Sequence, residues 1–354
     1  MKKVMVFGEA LIDFVPNERG VALKDVEGFQ RRAGGAPANV SAAIAKLGGR
    51  SAFVGQVGDD AFGHHLKEVL DGLNVDTDNM RLSRQYPTAM AFVTLKADGE
   101  RDFVFVRRET ADLRMSLGDV DVRAFDGAQL FHLGSNLLMD EQGYALSREL
   151  VRLAKEKGLQ VSYDPNLRPL LWENQQVDVG RINSLMEDVD ILKVSEEELF
   201  QLAGMDVQVD PEHLAAACEK MAAMGPQLIL VTLGEKGCYY EVHRKPKVEA
   251  GSAAGIKRGV GKGESAGAEA TPLRGTVSSF PMKPVDTTGA GDAFIGGFLY
   301  RLAMADYGLD AVDVEQLEED LRFANAVGGL TTQKPGAING LPTVEDVEAV
   351  LGKK

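Results

Sequence analysis

Apolar residues follow two rhythms along this chain. Short, nearly continuous runs occur at Val4–Phe7, Ser51–Val54, Leu130–Leu133, Gln160–Tyr163, Ile191–Lys193 and Leu228–Thr232. Between them apolar residues recur at helical spacing, as in Val40, Ala43, Ile44 and Leu47, or Phe62, Leu66, Val69, Leu70 and Leu73. This alternation predicts a largely parallel sheet covered by helices on both faces, an α/β fold. One stretch breaks the pattern. Ala89–Leu95 and Arg101–Val106 are β-rich and flank Ala97-Asp98-Gly99-Glu100, and an Asp-Gly between two such runs signals a hairpin. Leu11–Val15 and Gly28–Arg32 are candidates to pair with it. The segments at about 11–33 and 87–107 then form a small sheet apart from the main one, either a flap over a site or a plain sheet extension. Residues 244–279 hold many Gly, Ala, Ser and Lys and few large apolar residues before Phe280, which predicts a long mobile insertion.

Composition narrows the function classes. The 354 residues suffice for one large domain or two smaller ones. A formal net charge of −14 argues against a nucleic-acid or anionic-membrane partner, since both need a basic face. Two cysteines, Cys218 and Cys238, imply no disulfide framework. The apolar run near Met1 is too short for a signal peptide and no later run is long enough to span a membrane, so the expected setting is soluble and cytoplasmic. His64, His65, His132, His213 and His243 lack zinc-ligand spacing, and neither a Gly-x-Ser-x-Gly elbow nor a Gly-x-Gly-x-x-Gly after the first strand is present. Gly261-Lys262 fails the phosphate-loop pattern, because Ile256 stands where a glycine belongs and Gly263 where Ser or Thr should hold magnesium.

The candidate chemistry centres on Asp286-Thr287-Thr288-Gly289-Ala290-Gly291-Asp292, followed by an apolar helix from Ala293. The N–H groups of a first helical turn suit an anion. A carboxylate beside that anion site has one clear use, as the base that takes a proton from an attacking hydroxyl. The alternative is a tight glycine turn with Asp292 complementing the helix dipole. Gly34-Gly35 before a helix permits close approach of a ligand, and Asn39 both donates and accepts, as hydroxyl recognition requires. Asp13 reads as a turn residue or a polyol acceptor. Arg168, in Asp164-Pro165-Asn166-Leu167-Arg168 beyond a strand end, reads as a phosphate ligand or a surface ion pair. Ser195 and Glu198 make a capping box; the functional alternative has Glu198 ordering waters around Mg²⁺. Thr232 to Gly237, with Gly234, is a glycine-bracketed turn fit for nucleotide phosphates or for a plain reversal.

Together, in this order, Gly34-Gly35 with Asn39, Asp164–Arg168, Lys193 to Glu198, Thr232–Gly237 and Asp286–Asp292 resemble the ribokinase-like carbohydrate kinases, especially the fructokinase branch. The resemblance covers almost the whole chain. It implies a single domain over residues 1–354, a three-layer αβα sandwich with a small β-sheet lid, and transfer of the γ-phosphoryl of ATP to a sugar hydroxymethyl. By resemblance Asp292 is the base and Gly289, Ala290 and Gly291 form the anion hole. Asp13, Gly34, Gly35, Asn39 and Phe105 hold the sugar, and Arg168 bridges sugar and phosphate. Lys193, Ser195, Thr232, Gly234, Gly237 and Asn325 bind the nucleotide, with Mg²⁺ organised through water by Glu198. A monovalent cation such as K⁺ is implied at Asp286, Thr288, Thr331, Lys334, Gly336 and Gly340. The resemblance also implies a homodimer through the lid. Serine at position 195, where ribokinases carry Asn, and the segment Phe105 to Asp112 point to fructose, with aminoimidazole riboside or 2-keto-3-deoxygluconate as alternatives. A non-catalytic sugar- or nucleotide-binding regulator is the reading from a different class.

Overall fold

β1 (Lys3–Phe7) shows why the apolar runs do not alternate with polar residues. Val4 and Val6 enter one core layer, with Ile44, Phe294 and Phe298, while Met5 and Phe7 enter another, with Phe131, Leu146 and Tyr163. A strand covered on both faces must be apolar on both. The computed structural model describes all residues except 19, 96–100, 244–271, 306–308, 310–312 and 353–354.

From β1 the chain runs through β2 (Leu11–Pro16), β3 (Phe29–Gly34), α1 (Ala36–Lys46), β4 (Arg50–Gly58), α2 (Ala61–Gly72) and β5 (Met80–Ser83). It continues with β6 (Met90–Leu95), β7 (Arg101–Val106), β8 (Ala128–Gly134), α3 (Glu141–Glu156), β9 (Gln160–Asp164) and α4 (Val179–Asn183). Then come β10 (Ile191–Ser195), α5 (Glu196–Ala203), α6 (Pro211–Ala222), β11 (Leu228–Thr232), β12 (Cys238–Val242) and β13 (Leu273–Val277). The last elements are α7 (Ala290–Met304), α8 (Val314–Thr331), α9 (Ala337–Gly340) and α10 (Val344–Leu351).

The main sheet has nine strands in the order β13-β12-β11-β10-β9-β8-β1-β4-β5. It is parallel from β11 to β5, and β12 and β13 add antiparallel at one edge. Apolar faces of α3, α5 and α6 pack on one side of it. On the other side lie α1, α7 and α8. The order from β1 proceeds to β4 and β5 in one direction and to β8, β9, β10 and β11 in the other, so the direction switches between β1 and β8. Ligands of open α/β sheets sit beyond the carboxyl ends of strands at such a switch.

Four strands form a second sheet, β3-β2-β6-β7. Register places Asp13 beside Ala91 and Ala91 opposite Phe105, all on one face. The other face carries Phe14, Phe92 and Val104. Residues Ala97 to Glu100 of the expected hairpin turn lie outside the described residues.

One expectation needs correction. Residues 244–271 of the expected insertion lie outside the described residues, but its last part is not loop: β13 pairs antiparallel with β12, Leu273 opposite Val242 and Val277 opposite Cys238. No helix among the described residues is long and apolar enough to cross a membrane.

Candidate active site

The turn before α7 has the geometry its sequence demands. Gly289 caps the helix at φ 75°, and a side chain there would also strike Ala337 of α9. Asp286 locks the turn: one carboxylate oxygen accepts from the Thr288 N–H at 2.8 Å and the other from the Gly336 N–H at 2.8 Å. The first turn of α7 then points its N–H groups and Asp292 into a cavity of about 290 Å³, near the lower end of the ~300–1,000 Å³ usual for small-molecule sites.

Asp292 is buried, and its Oδ2 accepts from Asn39 Nδ2 of α1 at 2.8 Å. Burial pushes its pKa up to about 6, reinforced by the neighbouring Asp164 carboxylate and opposed by Asn39, Lys193 and Arg168. Such a carboxyl is ionised at neutral pH yet more basic than an ordinary aspartate, which suits a general base. Lys193, in the middle of β10, donates to Oδ2 of Asp164, the last residue of β9, at 2.9 Å. Burial opposes the lysine charge, but Asp164, Glu198 and Asp292 outweigh it and hold the pKa above the usual lysine value. A Cβ at Gly291 would lie 2.8 Å from Lys193 Nζ, so the bare backbone leaves the ammonium directly beneath the turn.

The same cavity gathers Asp13, Gly35, Asn39, Phe105 and Arg168 with Gly289, Ala290 and Gly291. Gly35 takes φ 101°, and a Cβ there would come within 2.5 Å of the Glu9 carbonyl oxygen. Gly34 stands opposite Leu11 at the end of β3, packed against the Asp13 carboxylate. Among the described residues Arg168 donates to the Leu167 carbonyl at 2.9 Å and pairs with no carboxylate. Lys193 was expected with the nucleotide groove; it lines this cavity instead, because its long side chain brings Nζ beneath Gly291. Sequence reasoning missed Glu9, Arg107 and Asn136 as wall residues of this cavity, and Asp164 as the partner of Lys193. Three of these four follow β1, β8 or end β9, where the strand-end rule could have found them.

A second cavity of about 350 Å³ lies on the far side of the turn. Thr232, Gly234 and Gly237 line it from the β11–β12 connection, facing Phe280, Met282, Asn325, Gly328 and Gly329. Asn325 Nδ2 donates to the carbonyls of Val277 at 3.0 Å and Ser278 at 3.4 Å, fixing the end of β13 against α8. Thr287, Ala290 and Gly291 line both cavities, so the two meet at the start of α7.

Ser195 caps α5 and is part of neither wall. Glu198 Oε2 accepts from the Ser195 N–H at 2.8 Å and Oε1 from the Leu167 N–H at 2.7 Å, so one carboxylate ties the ends of β9 and β10 together. Among the described residues no group of three or more His, Cys, Asp or Glu side chains could cage a metal. Asp286, Thr288 and Gly336 line a third cavity with Asp13 and Arg32. Thr331 and Gly340 pack tightly against each other, and Lys334 is not part of that wall.

Residues 1–255 and 274–344 match the sequence pattern of the pfkB family of carbohydrate kinases. Fructokinase-2 of Solanum habrochaites is 40% identical over 350 residues, spanning 98% of this chain and 95% of its own. A fructokinase from Xylella fastidiosa with bound ATP superposes with a TM-score of 0.81 at 32% identity, covering 99% of this chain and 98% of that one. A fructokinase double mutant from Vibrio cholerae O395, solved with fructose, ADP and potassium ion, gives a TM-score of 0.81 at 31% identity over 99% of this chain and 98% of its own. With an α/β sheet, a small second sheet and two cavities meeting at a glycine turn before a buried aspartate, this chain belongs to the pfkB family of carbohydrate kinases.

Proposed function

We propose that this protein transfers the γ-phosphoryl group of ATP to the 6-hydroxymethyl of D-fructose, giving fructose 6-phosphate and ADP. The observation that carries the reading is the shared wall: Thr287, Ala290 and Gly291 face both cavities, with Asp292 next to them on the wall of the first. ATP in the Thr232–Gly237 and Asn325 groove presents its γ-phosphate to that turn. The sugar, held by Asp13, Gly34, Gly35, Asn39 and Phe105, presents its hydroxyl from the other side. Asp292 takes the hydroxyl proton, the oxygen bonds to the γ-phosphorus, and the bond to the β–γ bridging oxygen breaks to release ADP. The N–H groups of Gly289, Ala290 and Gly291 stabilise the charge that develops on the transferring oxygens. Arg168, without a carboxylate partner among the described residues, and Lys193, held beneath Gly291, add positive charge at the same place.

The residues present suit the metals expected of such a reaction. With no carboxylate cage among the described residues, Mg²⁺ would be held mainly by phosphates and waters, with Glu198 accepting from those waters, and when bound it neutralises phosphate charge. K⁺ would be held at Asp286, Thr288, Thr331, Lys334, Gly336 and Gly340, mostly through backbone carbonyls, and the potassium ion of the Vibrio cholerae enzyme supports this. A homodimer through the second sheet and a cytoplasmic location complete the reading.

ADP release measured with fructose, ribose, 2-keto-3-deoxygluconate and aminoimidazole riboside tests it. The highest kcat/KM is expected for fructose. Preference for another sugar overturns the fructose assignment alone. ATP binding without ADP release on any sugar overturns the kinase reading and favours a binding regulator.

A further inference from the structure

Three polar side chains away from Asp292 line the acceptor cavity, and each has hydrogen-bonding capacity left over. Glu9, just past β1, is 2% exposed, Arg107, just past β7, is 3% exposed, and Asn136, just past β8, is 8% exposed. Asn136 Nδ2 donates to Glu9 Oε1 at 3.0 Å, which leaves Glu9 Oε2 and Asn136 Oδ1 without a hydrogen-bond partner among the described residues. Arg107 Nε donates to Asp112 Oδ2 at 2.7 Å, and its Nη1 has no hydrogen-bond partner among the described residues. Buried polar groups left in this state are costly unless something fills the role. Two acceptors and one donor on one wall match the hydroxyls of a polyol, each of which donates and accepts.

Charge narrows the ligand further. Arg107 Nη2 lies 2.6 Å from Asp112 Oδ2 and 3.9 Å from Glu9 Oε2, so its charge is already shared by two carboxylates. A ligand carboxylate at this wall would meet the Glu9 carboxylate, and Arg107, the cation beside it, is already shared.

Resting on the kinase reading above, we infer that Glu9, Asn136 and Arg107 are specificity-determining residues that bind hydroxyls of the acceptor and select neutral polyhydroxy sugars over sugar acids. The pair Glu9 and Asn136 stands at the β1–β8 switch, where the sheet opens to ligand.

Steady-state kinetics of the full chain with wild type, Glu9→Gln and Asn136→Ser test this. Each variant is expected to raise the KM for fructose about tenfold to a hundredfold, with kcat kept within a few-fold and the KM for ATP unchanged. Deoxygenated fructose analogues lacking the 1-, 3- or 4-hydroxyl should lose affinity in wild type, and at least one should lose much less in Glu9→Gln. Wild type should favour fructose over 2-keto-3-deoxygluconate by at least about a hundredfold, with Glu9→Gln narrowing the gap. Unchanged KM for fructose in both folded variants overturns the inference, as does wild-type turnover of the sugar acid within about threefold of fructose, which needs no variant. Wild type inactive on all sugars would instead count against the kinase reading itself.

Discussion

At the scale of single residues, Asp292 sets two opposing expectations. Its carboxyl pKa rises from 3.8 to about 6 on folding, chiefly through burial and then through Asp164. Below pH ~4 both folded and unfolded chains hold the proton and nothing is lost. Between ~4 and ~6 the unfolded chain ionises first, and above ~6 the folded state bears the full cost, about 3 kcal/mol for a shift of about two units. Asp292→Asn removes this burden while its amide oxygen still accepts from Asn39. The variant should therefore melt higher than wild type at pH 8, with the gap shrinking toward pH 4, while kcat falls about 10²–10⁴-fold for want of a base. Equal melting at both pH values would show that the charge is solvated in the folded protein. In wild type, kcat/KM should drop as pH falls through about 6. Asp164→Asn removes the like charge and leaves Lys193 less compensated, so that limb should move to lower pH; an unmoved limb assigns it to another group. Asp292 was legible in the sequence because turn, glycines and carboxylate are contiguous. Glu9 and Asn136 were not, because each is one ordinary polar residue until the sheet order sets β1 beside β8.

Elements explain how the site keeps its shape. The capping box of α5 was legible from Ser195 and Glu198, but its consequence was not. Glu198 also accepts from Leu167 beyond β9, across a strand boundary that local sequence does not encode. Glu198→Ala strands two N–H donors, at a cost of about 1–3 kcal/mol, and frees the segment that carries Arg168. It should lower melting temperature by a few degrees and cut kcat more than the KM for fructose. Glu198→Gln, which retains one acceptor, should fall between. A rise in the KM for fructose at constant kcat would place Arg168 with ground-state sugar binding instead. The strands that escaped sequence reading share one cause. β13 and β5 are short edge strands, β13 mostly exposed and β5 alternating Met80 and Leu82 with polar Arg81 and Ser83, so neither carries the apolar run that marks the covered strands of the same sheet.

For the whole molecule, the second sheet raises the question of assembly. Its inner face sends Asp13 and Phe105 to the cavity. Its other face joins Phe14, Phe29 and Phe92 in one aromatic cluster, with ring centroids 5.0 Å apart for Phe14 and Phe92 and 5.4 Å for Phe29 and Phe92, partly covered by Phe62 of α2 at 5.6 Å from Phe14. Val104 and Val106 extend that apolar face along the edge strand β7 at 48% and 44% exposure. Open sheet edges with an apolar face are normally paired or covered. The proposed homodimer covers this face and leaves the cavity side free. Replacing Val104 and Val106 together with lysine should convert a dimer to a monomer in sedimentation velocity at about 10 µM, without unfolding the nine-stranded sheet. Phe105 lies between the two valines but faces the opposite way, so the monomer should keep its kcat while the KM for fructose rises several-fold as the strand loosens. If wild type already sediments as a monomer, the apolar face serves some other contact. If the lysine variant stays dimeric, the two copies meet elsewhere and the strand carrying Phe105 is held by its own sheet alone.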